Sequence, residues 1–443
     1  MLSKSIIASV LAAASSIVSV AAAPSTNQYT GANVARGDVA ELDDGFMNLV
    51  YYTDWSIGER QFKASQMTAD KLTHVNFAFL QPMKDGSIIP GNLKNDVQEP
   101  LIEGETQPYT YEENGVTKYN ALGCVKDLFM LKQKNRQLKT LISIGGWTWS
   151  DNFTDITADE AKIDLFAQQS VKYMADWGFD GVDIDWEYPK TKEEGASYIT
   201  LLKRVRKELD DYAEKVTPNY HYLLTIAAPA GPSNYQQLDM KGLGEVLDYV
   251  NLMAYDYAGS WSTNSGYLAN VYPSKSTPTA TDVNTEAAVN AYIDGGVPAH
   301  KMILGMPIYG RSFEKTEGIG MKFEGVGGGT WEPGAYDYKV LPLDGAEEKF
   351  DEETLGQYSY DAAKKQLISY DTPQVVAKKV EYLRNKGLGG SMFWEASADK
   401  IGEASLIATS YNALERMGSP SCSENQLHYP NSMYSNIATG IMA

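Results

Sequence analysis

The sequence predicts an α/β fold, a closed (β/α)8 (TIM) barrel with a small α+β insertion after strand seven. Three observations predict it. Eight short, densely apolar runs alternate with amphipathic helical patterns, as parallel strands covered on both faces require. Polar or aromatic residues follow the runs at their carboxyl ends, where barrels of this kind place their chemistry. A long turn-rich excursion interrupts the alternation once, after the seventh run. Counting alone leaves an open doubly wound sheet as the competing architecture.

The runs fall at 46–52, 73–80, 139–145, 179–189, 222–228, 249–254, 302–309 and 390–395. Helical patterns lie between them. Residues 122–134 carry Cys124, Leu128 and Leu131 at helical spacing; 158–176 follow Thr157 as N-cap, with Glu160 three residues on. Residues 193–215 set Tyr198, Leu201, Leu202, Val205 and Leu209 on one side. A short helix is expected at 238–247, and another at 282–295 with Ala287, Ala288, Ala291 and Tyr292 on one face. Thr372 and Pro373 open a helix at 371–386 that buries Val376, Val380 and Leu383, and a last helix spans 404–417. Residues 81–120 form a long excursion between runs two and three. The barrel is therefore assigned to 45–311 and 371–418, the insertion to 312–370, and a polar, surface-wrapping tail to 419–443. No internal repeat is present.

Residues 1–23 read as a secretory leader: Lys4 supplies the charge, 6–20 the apolar core, and Ala21-Ala22-Ala23 the small residues for cleavage. The run is short for a membrane anchor and no stop-transfer flank follows. Residues 24–44 read as a tail or pro-segment, so the expected location is secreted, extracellular or wall-associated. With 57 acidic against 38 basic residues, a net charge of -19, a nucleic-acid or phosphate-rich partner is disfavoured. Two cysteines, Cys124 and Cys422, make no disulfide scaffold. Asn152-Phe153-Thr154 is an N-glycosylation sequon. His74, His221, His300 and His428 are scattered without metal-ligand spacing, and no metal or cofactor is expected. The 29 Tyr, 12 Phe and 8 Trp suit both core packing and a groove that stacks sugar rings.

The fourth run, Phe179-Asp180-Gly181-Val182-Asp183-Ile184-Asp185-Trp186-Glu187, carries the chemistry. In an extended chain alternate side chains share a face, so Asp183, Asp185 and Glu187 point one way and Val182, Ile184 and Trp186 the other. Clustered, buried carboxyls raise one another's pKa. A general acid needs that arrangement, a protonated carboxyl held near neutral pH; an acid-studded edge strand is the competing structural reading. Asp180 has opposite parity near the strand's start and reads as structural support. Asp185 and Glu187 are about 6.6 Å apart along one strand, which disfavours attack on a sugar ring from two opposite sides.

The chain is similar to the glycoside hydrolase family 18 chitinases, in particular to the secreted fungal endochitinases. The resemblance rests on Asp180, Asp183, Asp185 and Glu187 in the catalytic-strand spacing, on Ser143-Ile144-Gly145-Gly146-Trp147, on Met253-Ala254-Tyr255-Asp256, on Tyr309-Gly310-Arg311 and on Trp394, in family order. It implies hydrolysis of β-1,4-linked N-acetylglucosamine polymers with retention, the substrate's 2-acetamido group acting as nucleophile. It implies Glu187 as acid and base, Asp185 orienting the acetamido N–H, Asp183 sharing a proton or hydrogen bond with Asp185, and Tyr255 on the acetamido oxygen. Trp394 is the implied floor; Asp256, Met253 and Arg311 line the site, with Met253 equally suited to filling core. Trp147, Tyr51 and Phe79 are further subsite candidates. The implied partners are chitin and N-acetylglucosamine oligomers, with no nucleic acid or membrane, and a monomer is the family default. Competing functions are a sugar-binding lectin on the same scaffold, an endo-acting hydrolase of N-linked glycans, and a structural secreted domain.

Overall fold

The computed structural model of the chain describes residues 45–442. The leader at 1–23 and the tail at 24–44 lie outside the described residues. Eight parallel strands form the centre: β1 (Met47–Thr53), β2 (His74–Pro82), β3 (Lys139–Gly145), β4 (Gly181–Asp185), β5 (Leu223–Pro229), β6 (Tyr249–Met253), β7 (Met302–Pro307) and β8 (Gly390–Trp394). Each pairs in parallel with its neighbour in sequence, and β1 pairs with both β2 and β8, which closes the barrel. The open-sheet alternative is thereby removed.

Alternation along each strand divides two cores. On β1, Met47, Leu49 and Tyr51 face a small interior cluster with Phe79, Ile303 and Met392. Val50 and Tyr52 face outward into the large layer between strands and helices, as do Val182, Ile184 and Trp186. That layer is completed by helices α1 (Gly123–Lys134), α2 (Asn152–Thr157), α3 (Glu160–Trp177), α4 (Lys192–Val216), α5 (Met240–Val246), α6 (Thr285–Gly295), α7 (Pro373–Lys386) and α8 (Leu406–Glu415). The apolar stripes expected on α1, α4 and α7 are buried.

Two helix starts differ from expectation. Thr157 ends α2 instead of capping α3; the cap is Asp159, whose carboxylate accepts from the Ala161 and Lys162 amides. A carboxylate is the stronger capping acceptor and adds a favourable charge at the helix N-terminus. Likewise α6 begins at Thr285, capped by Asn284, and buries Ala288, Val289 and Tyr292 while Ala287 is exposed.

The excursion between β2 and β3 contains an antiparallel strand, Ile88–Pro90, laid on β2, and a hairpin of Thr110–Glu113 with Val116–Tyr119. After β7 a five-stranded antiparallel sheet runs in the order Ala335–Asp337, Tyr309–Phe313, Gln366–Ser369, Gly356–Asp361, Glu347–Asp351. Its first strand starts at Tyr309, so the boundary expected at residue 312 falls inside a strand. Between residues 312 and 370 the helical content is the 3-10 turn Tyr338–Val340.

The C-terminal segment does more than wrap a surface. Asn425 Nδ2 donates to the carbonyls of Lys132, Asn135 and Leu138, and the buried Tyr429 hydroxyl donates to the Phe179 carbonyl at 2.7 Å. Ile437, in a short helix Ser435–Thr439, is fully buried. Both cysteines are free, Cys124 buried and Cys422 exposed. The Asn152 side chain donates to the Pro82 carbonyl at 2.9 Å. Among the described residues no helix is long and apolar enough to cross a membrane.

Candidate active site

The parallel register builds the site. Ser143 on β3 and Thr225 on β5 stand level with Asp183 on β4, and Gly145 stands level with Asp185. Asp183 consequently accepts four hydrogen bonds: from Ser143 Oγ at 2.7 Å, Tyr51 Oη at 2.8 Å, Thr225 Oγ1 at 2.6 Å and Asn251 Nδ2 at 3.2 Å. Burial raises its pKa and these four donors pull it back.

Asp185, one layer higher, is 3% exposed, and its Oδ1 is buried without a hydrogen-bond partner. Burial first, then the charges of Glu187 and Asp183, hold its pKa well above the carboxylate range. An unpartnered buried oxygen costs about 1–3 kcal/mol, a cost that a structural role does not explain. Gly145 and Gly146 make this layer accessible to the chain. Both have positive φ, +118° and +81°, and a Cβ at Gly145 would lie 2.2 Å from the Asp185 carbonyl.

Glu187 lies two residues past the end of β4, and its amide donates to Ser150 Oγ at 2.7 Å. Its pKa is raised to about 7, chiefly by burial and also by Asp256, while Tyr188 and the Trp147 backbone lower it. Glu187 is nonetheless part-exposed, lining a pocket of about 150 Å³ with Tyr188, Asn234, Met253, Tyr255 and Asp256. Burial also raises the pKa of Tyr255, with Asp185 the nearest charge in effect, so its hydroxyl keeps its proton. Its ring meets Tyr309 edge-on at 6.2 Å.

Arg311 grips Asp256 with two parallel bonds, Nε to Oδ1 at 2.9 Å and Nη2 to Oδ2 at 3.0 Å. Its guanidinium lies 5.3 Å from the Trp261 ring, a contact that sequence spacing did not suggest. Arg311 thus acts on the site through Asp256. Trp394 ends β8 and is stacked on Phe79 at 5.8 Å, with Tyr51 at 5.4 Å and Trp55 at 6.5 Å.

Two subsite expectations change. Tyr51 is 1% exposed with its hydroxyl on Asp183, and Phe79 is 8% exposed beneath Trp394. Tyr51 faces the barrel interior with Met47 and Leu49; Phe79 joins the same interior cluster although Val75 and Phe77 of its strand face outward, because the register shifts between Phe77 and Leu80. Trp147, by contrast, is 73% exposed. Asp180 sits at the opposite end of β4, fully buried, against Lys132 Nζ at 2.8 Å and accepting from the Thr140 and Gln426 amides and Tyr220 Oη. The residues that sequence reasoning passed over, Thr225 and Asn251, carried one available signal: polar side chains inside otherwise apolar runs.

The arrangement can deliver a proton from Glu187 at neutral pH, beside a buried acceptor and above an aromatic floor. A sequence model of the glycosyl hydrolases family 18 matches residues 47–399. The chain is 48% identical to Chitinase 1 of Aphanocladium album over 96% of this chain and 98% of that protein. It is 49% identical to Endochitinase 1 of Metarhizium robertsii over 89% and 90% of the two chains. Among solved structures, the catalytic domain of psychrophilic chitinase B from Arthrobacter TAD20 superposes with a TM-score of 0.76 at 27% identity, covering 88% of this chain and all of that one, 100%.

Proposed function

Because this chain belongs to glycosyl hydrolases family 18, we propose that it hydrolyses the β-1,4 bonds of chitin and N-acetylglucosamine oligomers with retention, through the substrate's own 2-acetamido group. The observation that carries this reading is the pair formed by Glu187, with its pKa near 7, and the unpartnered Asp185 Oδ1. Glu187 protonates the glycosidic oxygen. The acetamido carbonyl oxygen attacks the anomeric carbon and the glycosidic bond breaks, leaving a cyclic oxazolinium. Glu187, now a carboxylate, takes a proton from water as that water opens the ring.

Asp185 Oδ1 accepts the acetamido N–H, which orients the carbonyl and stabilises its developing positive charge. Tyr255 donates a hydrogen bond from its retained proton to the acetamido oxygen, and Asp183 anchors the floor of the strand through its four donors. Trp394 offers its ring to the apolar face of the sugar. Trp147, Met253 and Asp256 line the flanking positions, and Arg311 fixes Asp256. Secretion accords with the leader pattern at 1–23, and a lone molecule suffices because one chain supplies every group named.

The test is kcat/KM on a chitohexaose between pH 4 and pH 9. The catalytic acid must be protonated, so the rate is expected to fall as pH rises through about 7, the value to which Glu187 is raised. Cellohexaose, which lacks the acetamido group, is expected to remain uncut. A rate that increases steadily to pH 9, or cleavage of cellohexaose, contradicts the proposal.

A further inference from the structure

Two acids that take no part in the catalytic pocket are buried where the excursion crosses the end of β1. Asp54 opens the 3-10 turn Asp54–Ile57 that follows β1 and is 4% exposed. Asp96 lies in the helical turn Lys94–Gln98 of the excursion between β2 and β3 and is fully buried. Both carboxyls meet the same stretch of chain. A Cβ at Gly91 would lie 2.9 Å from Asp54 Oδ2, and the Asn92 amide donates to Asp96 Oδ2 at 3.3 Å. Asn95 Nδ2 adds a bond to the Asp54 carbonyl at 3.1 Å. Asp96 Oδ1 is buried without a partner.

The cations of the neighbouring segments are turned elsewhere. Lys94 pairs with Glu99 at 3.1 Å, Lys126 pairs with Glu105, and Lys63 donates to the Leu101 carbonyl. The titratable groups that face the pair are Tyr52 on β1, Cys124 and Asp127 on α1, and Tyr173 on α3, none of which brings a positive charge. Burial raises the Asp54 pKa to about 7, and burial together with the Asp54 charge raises Asp96 well above the carboxylate range. A proton held between the two carboxyls supplies the donor that Asp96 Oδ1 lacks. Two ionised carboxylates there repel each other.

We propose that Asp54 and Asp96 share one proton and form a pH-sensitive latch, which holds the excursion against the end of β1 in acid and releases it above neutrality. The latch is independent of the hydrolase reading. Its release loosens the turn that bears Trp55, whose ring leans on Phe79 at 6.2 Å and on Trp394 at 6.5 Å. The sign follows from the proton. The latched form binds it more tightly than the open form, in which the carboxyls return to about 4. Latching is therefore complete below about pH 4 and is lost as pH rises to about 7.

The experiment is hydrogen exchange of the whole protein at pH 5 and pH 8, read by mass spectrometry and corrected for the intrinsic exchange rate. Residues 91–98 are expected to lose protection by at least about tenfold at pH 8, while α4 keeps its protection. Asp54→Asn and Asp96→Asn preserve the shape, and the new amide is a permanent donor to the remaining carboxylate. Each is expected to differ by less than about threefold between the two pH values. Equal wild-type protection at pH 5 and pH 8 overturns the latch, and this comparison needs neither variant. A tenfold loss that persists in both variants also overturns it. So does recovery of protection at pH 8 on adding millimolar calcium, which assigns the pair to a cation instead of a proton.

Discussion

Glu187→Gln is expected to fold normally and to lose chitohexaose hydrolysis by at least 10²- to 10⁴-fold in kcat, which corresponds to about 3–5 kcal/mol of transition-state stabilisation. The amide fills the same space and keeps the backbone bond to Ser150, since that bond is made by the Glu187 amide. What is lost is the proton. The raised pKa near 7 means the carboxyl is poised to give a proton to the departing oxygen and to take one from water afterwards. Both half-reactions use the same group, so no neighbour can carry one of them. Asp185 cannot substitute, because it is buried one layer lower. Binding of the oligomer should survive, measured by tryptophan fluorescence titration of the variant. Turnover within tenfold of wild type would remove Glu187 from its assigned role.

Asp180→Ala is expected to destabilise the fold by about 3–5 kcal/mol, the cost of leaving a buried charge unpaired. Lys132 and Asp180 are both fully buried at 2.8 Å, and burial already lowers the Lys132 pKa to about 8. The substitution also orphans the amides of Thr140 and Gln426 and the hydroxyl of Tyr220. All three partners belong to other strands or segments, so the loss also removes one of the bonds that tie the C-terminal tail to the barrel. Urea unfolding should show a lower midpoint. The surviving folded enzyme should keep its kcat, because Asp180 lies about 17 Å along the strand from the catalytic end. A large fall in kcat with an unchanged midpoint would mean that Asp180 serves the chemistry and not the fold.

The barrel was legible because its strands are buried on both faces, which forces dense apolar runs, and because β4 departs from that pattern only at alternate positions. Parity told which way Asp183 and Asp185 face. It could not tell depth. Tyr51 and Phe79 end below Trp394 because the barrel interior is layered, and a layer is set by the register of neighbouring strands, which one run does not encode. The partners of Asp183 were hidden for the same reason: Thr225 and Asn251 meet it only once β4, β5 and β6 are aligned. The tail at 419–443 read as polar because part of its anchoring is done by the Asn425 side-chain amide and the Gln426 backbone N–H, whose carbonyl and carboxylate partners the sequence does not reveal.

The central claim is that the sugar's own acetamido oxygen attacks the anomeric carbon while Glu187 supplies the proton. Partially N-acetylated chitosan tests it most directly, because each cut leaves a record of the sugar that occupied the reacting position. Sequencing the products by mass spectrometry should find an N-acetylated sugar at every newly formed reducing end. Deacetylated glucosamine at those ends, in proportion to its abundance in the polymer, would contradict the account.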